Sequence, residues 1–307
     1  MQRRPLGRSG LTVPVIGLGT MMFGEKTGLG EARRIVDRAL EAGVDLIDTA
    51  DVYADGEAER MLGEILRGRR WRVLLATKGG RPTGLGQGLG RRYLHLAVEA
   101  SLRRLRTDWI DLYQLHFWDP SVPLDESLET LDALVRQGKI RYVGVSNWAA
   151  WQLALGLGRA EARGWQRPVA VQARYNLVYR QAEEELLPLC AHEGVGLLAY
   201  SPLAGGILTG KYLEGIPQGS RAWQNPTWQE RRLTPRAQAA ARAVCEAAAR
   251  TGWTPGQVAL AWLLGREEVS SALVGPRTLA QWEEALAAAE LRLPEAERSA
   301  LSAQAER

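Results

Sequence analysis

Seven short apolar runs, each ending in a polar or small residue, recur along this chain at 44–48, 73–78, 110–116, 142–147, 169–172, 195–200 and 272–275. Between and after them lie stretches with helical spacing, at about 31–42, 57–67, 91–106, 126–137, 149–163, 182–193, 235–251, 255–265 and 278–290. Strands alternating with amphipathic helices predict parallel β/α units, and parallel strands bring their C-terminal ends to one side of the sheet. Asp48, Lys78, His116, Asn147, Gln172 and Tyr200 then converge. Residues 11–20 read as a short hairpin followed by a first strand that ends at Gly19-Thr20, which makes eight strands. The expected fold is therefore α/β: a (β/α)8 TIM barrel with an N-terminal β-hairpin and long loops at its C-terminal mouth, where barrel enzymes keep their chemistry.

A chain of 307 residues suits one such barrel, usually about 250 residues plus insertions, and 46% apolar residues supply its core. No composition shift marks a boundary, so residues 1–307 are expected to form a single domain. The net charge of +4 and the pI near 9.2 come from arginines interleaved with glutamates, a solvated surface rather than a nucleic-acid stripe. No stretch approaches the roughly 18 apolar residues of a membrane span, and the amino end lacks the apolar core of a signal peptide. Cys190 and Cys245 form neither a metal motif nor a disulfide framework. A cytoplasmic protein is expected, with no membrane or nucleic-acid partner and, lacking a heptad run, a monomer as the default.

Two segments are irregular, 79–90 and 208–233. The first contains Gly84-Leu85-Gly86-Gln87-Gly88-Leu89-Gly90 between a strand and a helix, but a dinucleotide fingerprint starting at Gly84 needs glycine where Leu89 stands. It reads as a rim loop.

Asp48, Tyr53, Lys78 and His116 belong together chemically. A tyrosine, with an ordinary pKa of about 10, donates a proton at neutral pH when a nearby cation stabilises the phenolate it leaves. Lys78 can supply that charge, Asp48 can hold Lys78, and His116, one of three histidines, can share the proton or align a carbonyl oxygen. Singly, an Asp-Lys pair ties strand ends and a lone histidine packs. At adjacent strand ends of one mouth, the four point to proton transfer.

The motifs Gly17-Leu18-Gly19-Thr20, Asp48-Thr49-Ala50-Asp51-Val52-Tyr53, Ala76-Thr77-Lys78, Asp111-Leu112-Tyr113-Gln114-Leu115-His116, Gly144-Val145-Ser146-Asn147, Gln172 and Tyr200-Ser201-Pro202-Leu203 resemble, in that order, the aldo-keto reductases. The resemblance runs from about Leu6 to Leu291 and is closest to the shorter-chain branch, bacterial NADPH-dependent enzymes and potassium-channel β subunits. It implies a barrel binding NADPH/NADP+ across its mouth, a small-molecule aldehyde or ketone as substrate, and Asp48, Tyr53, Lys78 and His116 as a catalytic tetrad with tyrosine as general acid. It also implies cofactor contacts at Thr20, Met21 and Asp48. Ser146, Asn147 and Gln172 would bind the nicotinamide carboxamide, Tyr200 would stack on the ring, and Ser201, Leu203 and Gly205 would approach the pyrophosphate. Lys211 and Arg221 would lie in a loop closing over the cofactor. Gly275 and Arg277 open the last helix of the barrel, where amides and a guanidinium suit a phosphate dianion. Gln281 and Glu284 follow on that helix.

Three departures stand out. Met21 replaces a tryptophan common after the first strand, Ala285 replaces an adenine-contacting asparagine, and the short end after Leu291 supplies no long loop to close the pocket. An open pocket of broad specificity is expected, with Phe23, Trp118, Trp148 and Trp223 as candidates for an aromatic wall or for packing. Competing readings are an NADP(H)-binding redox-sensing or regulatory module, although channel subunits carry asparagine at the position of His116, and a Schiff-base aldolase through Lys78, which leaves Asn147, Gln172 and Tyr200 unexplained. The reaction implied needs no metal.

Overall fold

A computed structural model describes residues 1–304. It opens with an antiparallel hairpin, β1 (Arg3–Pro5) and β2 (Thr12–Pro14), followed by eight parallel strands: β3 (Ile16–Gly19), β4 (Leu46–Asp48), β5 (Leu74–Gly79), β6 (Ile110–Leu115), β7 (Ile140–Ser146), β8 (Pro168–Arg174), β9 (Gly196–Tyr200) and β10 (Val269–Val274). These pair in sequence order, and β10 returns to β3, closing a (β/α)8 TIM barrel. Helices α1 (Leu29–Glu41), α2 (Glu57–Ile65), α3 (Arg91–Leu105), α4 (Leu124–Arg136), α5 (Ala150–Arg163) and α6 (Leu186–Glu193) link successive strands, and α7 (Arg221–Gln224), α8 (Pro226–Arg232), α9 (Pro235–Thr251) and α10 (Pro255–Leu264) lie between β9 and β10. After β10 comes α11 (Leu279–Ala288), the eighth helix of the barrel, packed against α10 and α1, and then α12 (Glu295–Gln304). Among the described residues, no helix is long and apolar enough to cross a membrane.

Period-two alternation explains the two cores. Leu46, Leu74, Ala76, Leu112, Ala170, Leu198 and Leu273 point into the barrel, and Leu6 and Val13 of the hairpin region join them. Their sequence neighbours Ile47, Leu75, Tyr113, Val171, Leu197, Ala199 and Val274 point outward to the helices. Ala32, Ile35, Val36 and Ala39 of α1, at helical spacing, are buried in that outer layer. The hairpin is tied down by Arg4, whose guanidinium donates to the carbonyls of Leu264, Arg266 and Val269. The sequence marked the hairpin but not its first arm, Arg3–Pro5.

Other differences have local causes. The expected helix over 182–193 begins only at Leu186, because Pro188 cannot donate and its ring crowds the carbonyl four residues earlier. The irregular 208–233 segment contains α7 and α8, capped by Ser220 and Asn225, whose side chains accept from Trp223 and Trp228 amides at 3.3 and 2.9 Å. Asn225-Pro226 was a legible cap signal. Helix α12, where no element was expected, buries Leu301, and its Ser302 accepts from Trp262 Nε1 at 2.9 Å.

Behind the barrel wall sits a buried polar layer. Thr77, on the outward side of β5, donates to Glu59 at 2.6 Å, and Glu59 also receives Arg104 Nε at 2.7 Å. Asp51 lies in the same layer, 4% exposed, with Oδ1 unpartnered; burial, then the charge of Glu59, raise its carboxyl to about 7. A carboxyl whose pKa is raised by folding contributes stability that is complete below about pH 4 and disappears as pH rises toward 7. Asp51→Asn is therefore expected to be more stable than the parent at pH 8, on the order of 2–4 kcal/mol, with the gap closing at pH 4. Urea midpoints of both proteins at the two pH values check this, and an equal gap at both would show that Asp51 ionisation does not couple to folding.

Candidate active site

The inward alternation that fills the lower barrel with leucines continues upward and delivers polar side chains to the mouth. After Leu46 comes Asp48, after Leu74 and Ala76 comes Lys78, after Leu112 come Gln114 and His116, and after Leu198 comes Tyr200. Lys78 pairs in register with Gln114, and Ser146 with Gln172.

Asp48 and Lys78 are both almost fully buried, and Lys78 Nζ donates to Asp48 Oδ1 at 2.6 Å and to Thr49 O at 2.7 Å. The other carboxylate oxygen receives Gln114 Nε2 at 3.1 Å and Gln172 Nε2 at 2.9 Å. Gln114 itself fits because residue 144 is glycine; a Cβ there would come within 2.9 Å of the glutamine side chain. A buried ion pair persists only when its remaining hydrogen-bonding capacity is met, and here both oxygens are engaged.

Tyr53 stands in the tight turn after β4, where Ala54 and Asp55 adopt left-handed backbone angles, φ 47° and 53°. Such angles cost non-glycine residues energy and recur at functional sites. The turn places Tyr53 Oη 3.4 Å from Lys78 Nζ, the ammonium 5.1 Å from the phenol ring centroid, and the His116 ring edge-on with centroids 6.2 Å apart.

Burial raises the Tyr53 phenol above its ordinary value, and the opposing pull of Lys78 is smaller. Lys78 alone was expected to make the phenol more acidic; desolvation wins because the hydroxyl is enclosed. For Lys78, burial acts downward, yet Asp48 and Tyr53 together outweigh it and its pKa lies above that of a free lysine. Burial first, then the charges of Lys78 and Arg81, push His116 down to about 3, and its Nδ1 is buried without a partner. At neutral pH the mouth thus holds a protonated phenol, an ammonium and a neutral imidazole.

Around this centre, the backbone N–H of His116 donates to Gly79 O at 2.9 Å and its carbonyl accepts from Asn147 Nδ2 at 3.1 Å. Asn147, at φ 59°, also donates to Ser146 Oγ at 3.0 Å and accepts from Tyr200 Oη at 2.7 Å. Ser146, Asn147 and Tyr200 are therefore gathered, whereas the Gln172 amide nitrogen is engaged by Asp48. Thr20 is buried, its hydroxyl donating to Asp48 O at 3.0 Å, and Met21 is 40% exposed.

After β9 the chain turns through Ser201, Ala204, Gly205, Gly206 and Gly210, all at positive φ. A Cβ on Gly205 would meet Trp228 at 2.6 Å and Arg221 at 3.5 Å, and one on Gly206 would meet Lys211 Nζ at 2.7 Å, so both glycines permit a close approach. Leu203 is half-buried beside them. Burial, then the neighbouring cations, lower the pKa of Lys211 (through Arg277 and Arg221) and of Arg221 (through Arg277). The three form no salt bridge among the described residues. Glu25 acts on Arg221 only beyond salt-bridge distance, and gathered cations that no carboxylate pairs directly fit a polyanionic ligand such as a phosphorylated dinucleotide.

Gln281 accepts the Arg277 N–H at 2.9 Å, and Glu284 accepts from the Thr254 hydroxyl, so both side chains already hold partners within the fold. Gly275 lies beside Gly19 of β3, and Ala285 is buried. Of the aromatic candidates, Phe23 is fully buried and Trp148 packs against Gly156, while Trp118 meets Trp148 and Trp151 edge-on at 4.8 and 5.5 Å. Trp223 is exposed. Gln114 was missing from the sequence-derived site, although its inward position two residues before His116 was a usable signal.

The sequence pattern of the Aldo/keto reductase family matches residues 15–306. An uncharacterized oxidoreductase, YrpG, from Bacillus subtilis (strain 168) is 36% identical over 307 residues, covering 95% of this chain and 92% of that protein. A probable voltage-gated potassium channel subunit beta from Arabidopsis thaliana is 34% identical over 301 residues, with the same coverages.

Proposed function

This chain belongs to the aldo/keto reductase family, whose members carry out NAD(P)H-dependent carbonyl reduction, and from that premise we propose that it reduces aldehydes or ketones to alcohols with NADPH, using Tyr53 as the proton donor. The observation carrying this reading is the buried Asp48–Lys78–Tyr53 series with neutral His116 beside it. When bound, the reduced nicotinamide supplies the hydride to the carbonyl carbon. Tyr53 Oη gives its proton to the carbonyl oxygen as that oxygen gains negative charge. Lys78, 3.4 Å from Oη, stabilises the phenolate left behind, and Asp48 keeps the ammonium charged and aimed. His116, uncharged, can hydrogen-bond the carbonyl oxygen without competing as an acid.

Thr20, Met21, Ser146, Asn147 and Gln172 would hold the nicotinamide end, with Tyr200 against the ring. Ser201, Leu203, Gly205, Lys211 and Arg221 would hold the pyrophosphate side, and Gly275, Arg277, Gln281 and Glu284 the adenosine side, with Arg277 on a 2′-phosphate. Arg277→Ala is expected to lower the preference for NADPH over NADH by roughly tenfold or more, the worth of one charge-assisted contact. Fluorescence titration with each nucleotide measures it; an unchanged ratio would remove Arg277 from that role. The reading includes a cytoplasmic setting and action as a monomer, and Cys190 and Cys245 are both free thiols, which suits a reducing compartment.

The decisive assay follows NADPH oxidation, at roughly 340 nm, over a panel of aldehydes and ketones. Turnover supports the reductase. The similarity to a channel β subunit favours a second reading, a cofactor-binding regulatory module, for which the result is tight NADPH binding without turnover.

A further inference from the structure

Between the loop after β5 and the loop after β6 lies a cavity of about 730 Å³, a size that accommodates a small organic molecule. Chain connectivity fixes its place beside the mouth. Phe117 of its lining directly follows His116, and Arg81 comes two residues after Gly79, whose carbonyl accepts the His116 N–H at 2.9 Å. With Cα atoms 3.8 Å apart, Arg81 Cα is within about 8 Å of Gly79 Cα.

The charges lining the cavity are not balanced in their availability. The two carboxylates are engaged by the fold: Asp119 accepts from the amides of Leu89 and Ser121 and from the Ser121 hydroxyl, and Glu126 accepts from the Arg91 amide at 2.8 Å. Arg91 is paired with Glu129. Arg81 and Arg92 make no salt bridge among the described residues, and the Arg81 guanidinium lies 5.6 Å from the Phe117 ring centroid. The loop is also anchored: Tyr93 Oη donates to Arg81 O at 3.1 Å with Asp51 Oδ2 3.4 Å away, and the Asp51 amide donates to Lys78 O at 3.0 Å. The backbone bearing Arg81 is thus latched to the backbone bearing Lys78, and to a point two residues before Tyr53.

We propose that Arg81 and Arg92 make this cavity the seat of an anionic group on the substrate, so that the preferred carbonyl compounds carry a carboxylate or a phosphate. This rests on the reductase reading and names its substrate class. Guanidinium groups match both anions in geometry, and a carbonyl tethered to an anion held here is presented to the His116 side of the mouth.

The test compares kcat/KM with NADPH for 4-carboxybenzaldehyde against its methyl ester, and for glyceraldehyde 3-phosphate against glyceraldehyde, in the parent enzyme, Arg81→Ala, Arg92→Ala and Arg81→Lys. The expected result is a preference for the anionic member of at least one pair by about tenfold or more, lost largely through KM in Arg81→Ala and partly restored in Arg81→Lys. Which pair shows it identifies the anion. Equal use of anionic and neutral members by the parent enzyme, or a preference that survives both alanine variants, overturns the inference and leaves the reductase intact. No reduction of any of the four compounds, with turnover of other members of the aldehyde and ketone panel, overturns the inference alone; no turnover across the whole panel overturns the reductase reading, and the inference with it.

Discussion

Tyr53→Phe is expected to lose about 10²- to 10⁴-fold in kcat for carbonyl reduction while NADPH binding stays within a factor of about two, because only the proton donor is removed. The phenyl ring keeps the position 5.1 Å from the Lys78 ammonium, so the change deletes Oη and little else. The parent enzyme carries a second signature. Its phenol is held above the ordinary tyrosine value by burial, so the donor form persists and loss of that proton does not lower the reductive rate up to about pH 10. Rate measurements from pH 6 to 10 with both proteins check the pair of expectations. Retention of the parent rate by the phenylalanine variant would transfer the donor role to another group.

The second large effect concerns the Asp48–Lys78 pair. Lys78→Met leaves the Asp48 carboxylate buried with two glutamine donors and no cation, and Asp48→Asn leaves a buried ammonium without its anion. Each single substitution is expected to cost about 3–5 kcal/mol of stability, whereas the double variant costs less than the sum, since no uncompensated charge remains. All three lose reductase activity: without Lys78 no cation stabilises the phenolate of Tyr53, and in Asp48→Asn the ammonium 3.4 Å from Oη is no longer kept charged and aimed. Chemical denaturation of the four proteins gives the coupling energy. Strict additivity would mean that the two side chains are not interacting as charges, despite their 2.6 Å contact.

Much of this arrangement was legible in the chain. Runs such as Leu74-Leu75-Ala76-Thr77-Lys78 encode both a strand and, by alternation, which residue faces inward at its end. Helix ends were equally readable where local chemistry sets them, as at Thr234-Pro235 and Thr254-Pro255, whose threonines accept the amides of Ala237 and Gln257. Helix α12 was not readable, since no apolar stripe announces it and only its contacts with the rest of the fold, through Leu301 and Ser302, hold it in place.

The eight strands, their order and the identity of the polar residues at their ends follow from the amino-acid chain, because strand period, turn residues and capping are local properties. The tertiary structure alone decided the states of those residues. That Tyr53 is harder, not easier, to ionise, that His116 is neutral, that Gln114 and Gln172 complete the Asp48 carboxylate, and that Lys211, Arg221 and Arg277 cluster with no salt bridge among the described residues all depend on burial and on distances between residues far apart in sequence. Desolvation and Coulomb energies are set by the final three-dimensional surroundings, which no local pattern contains.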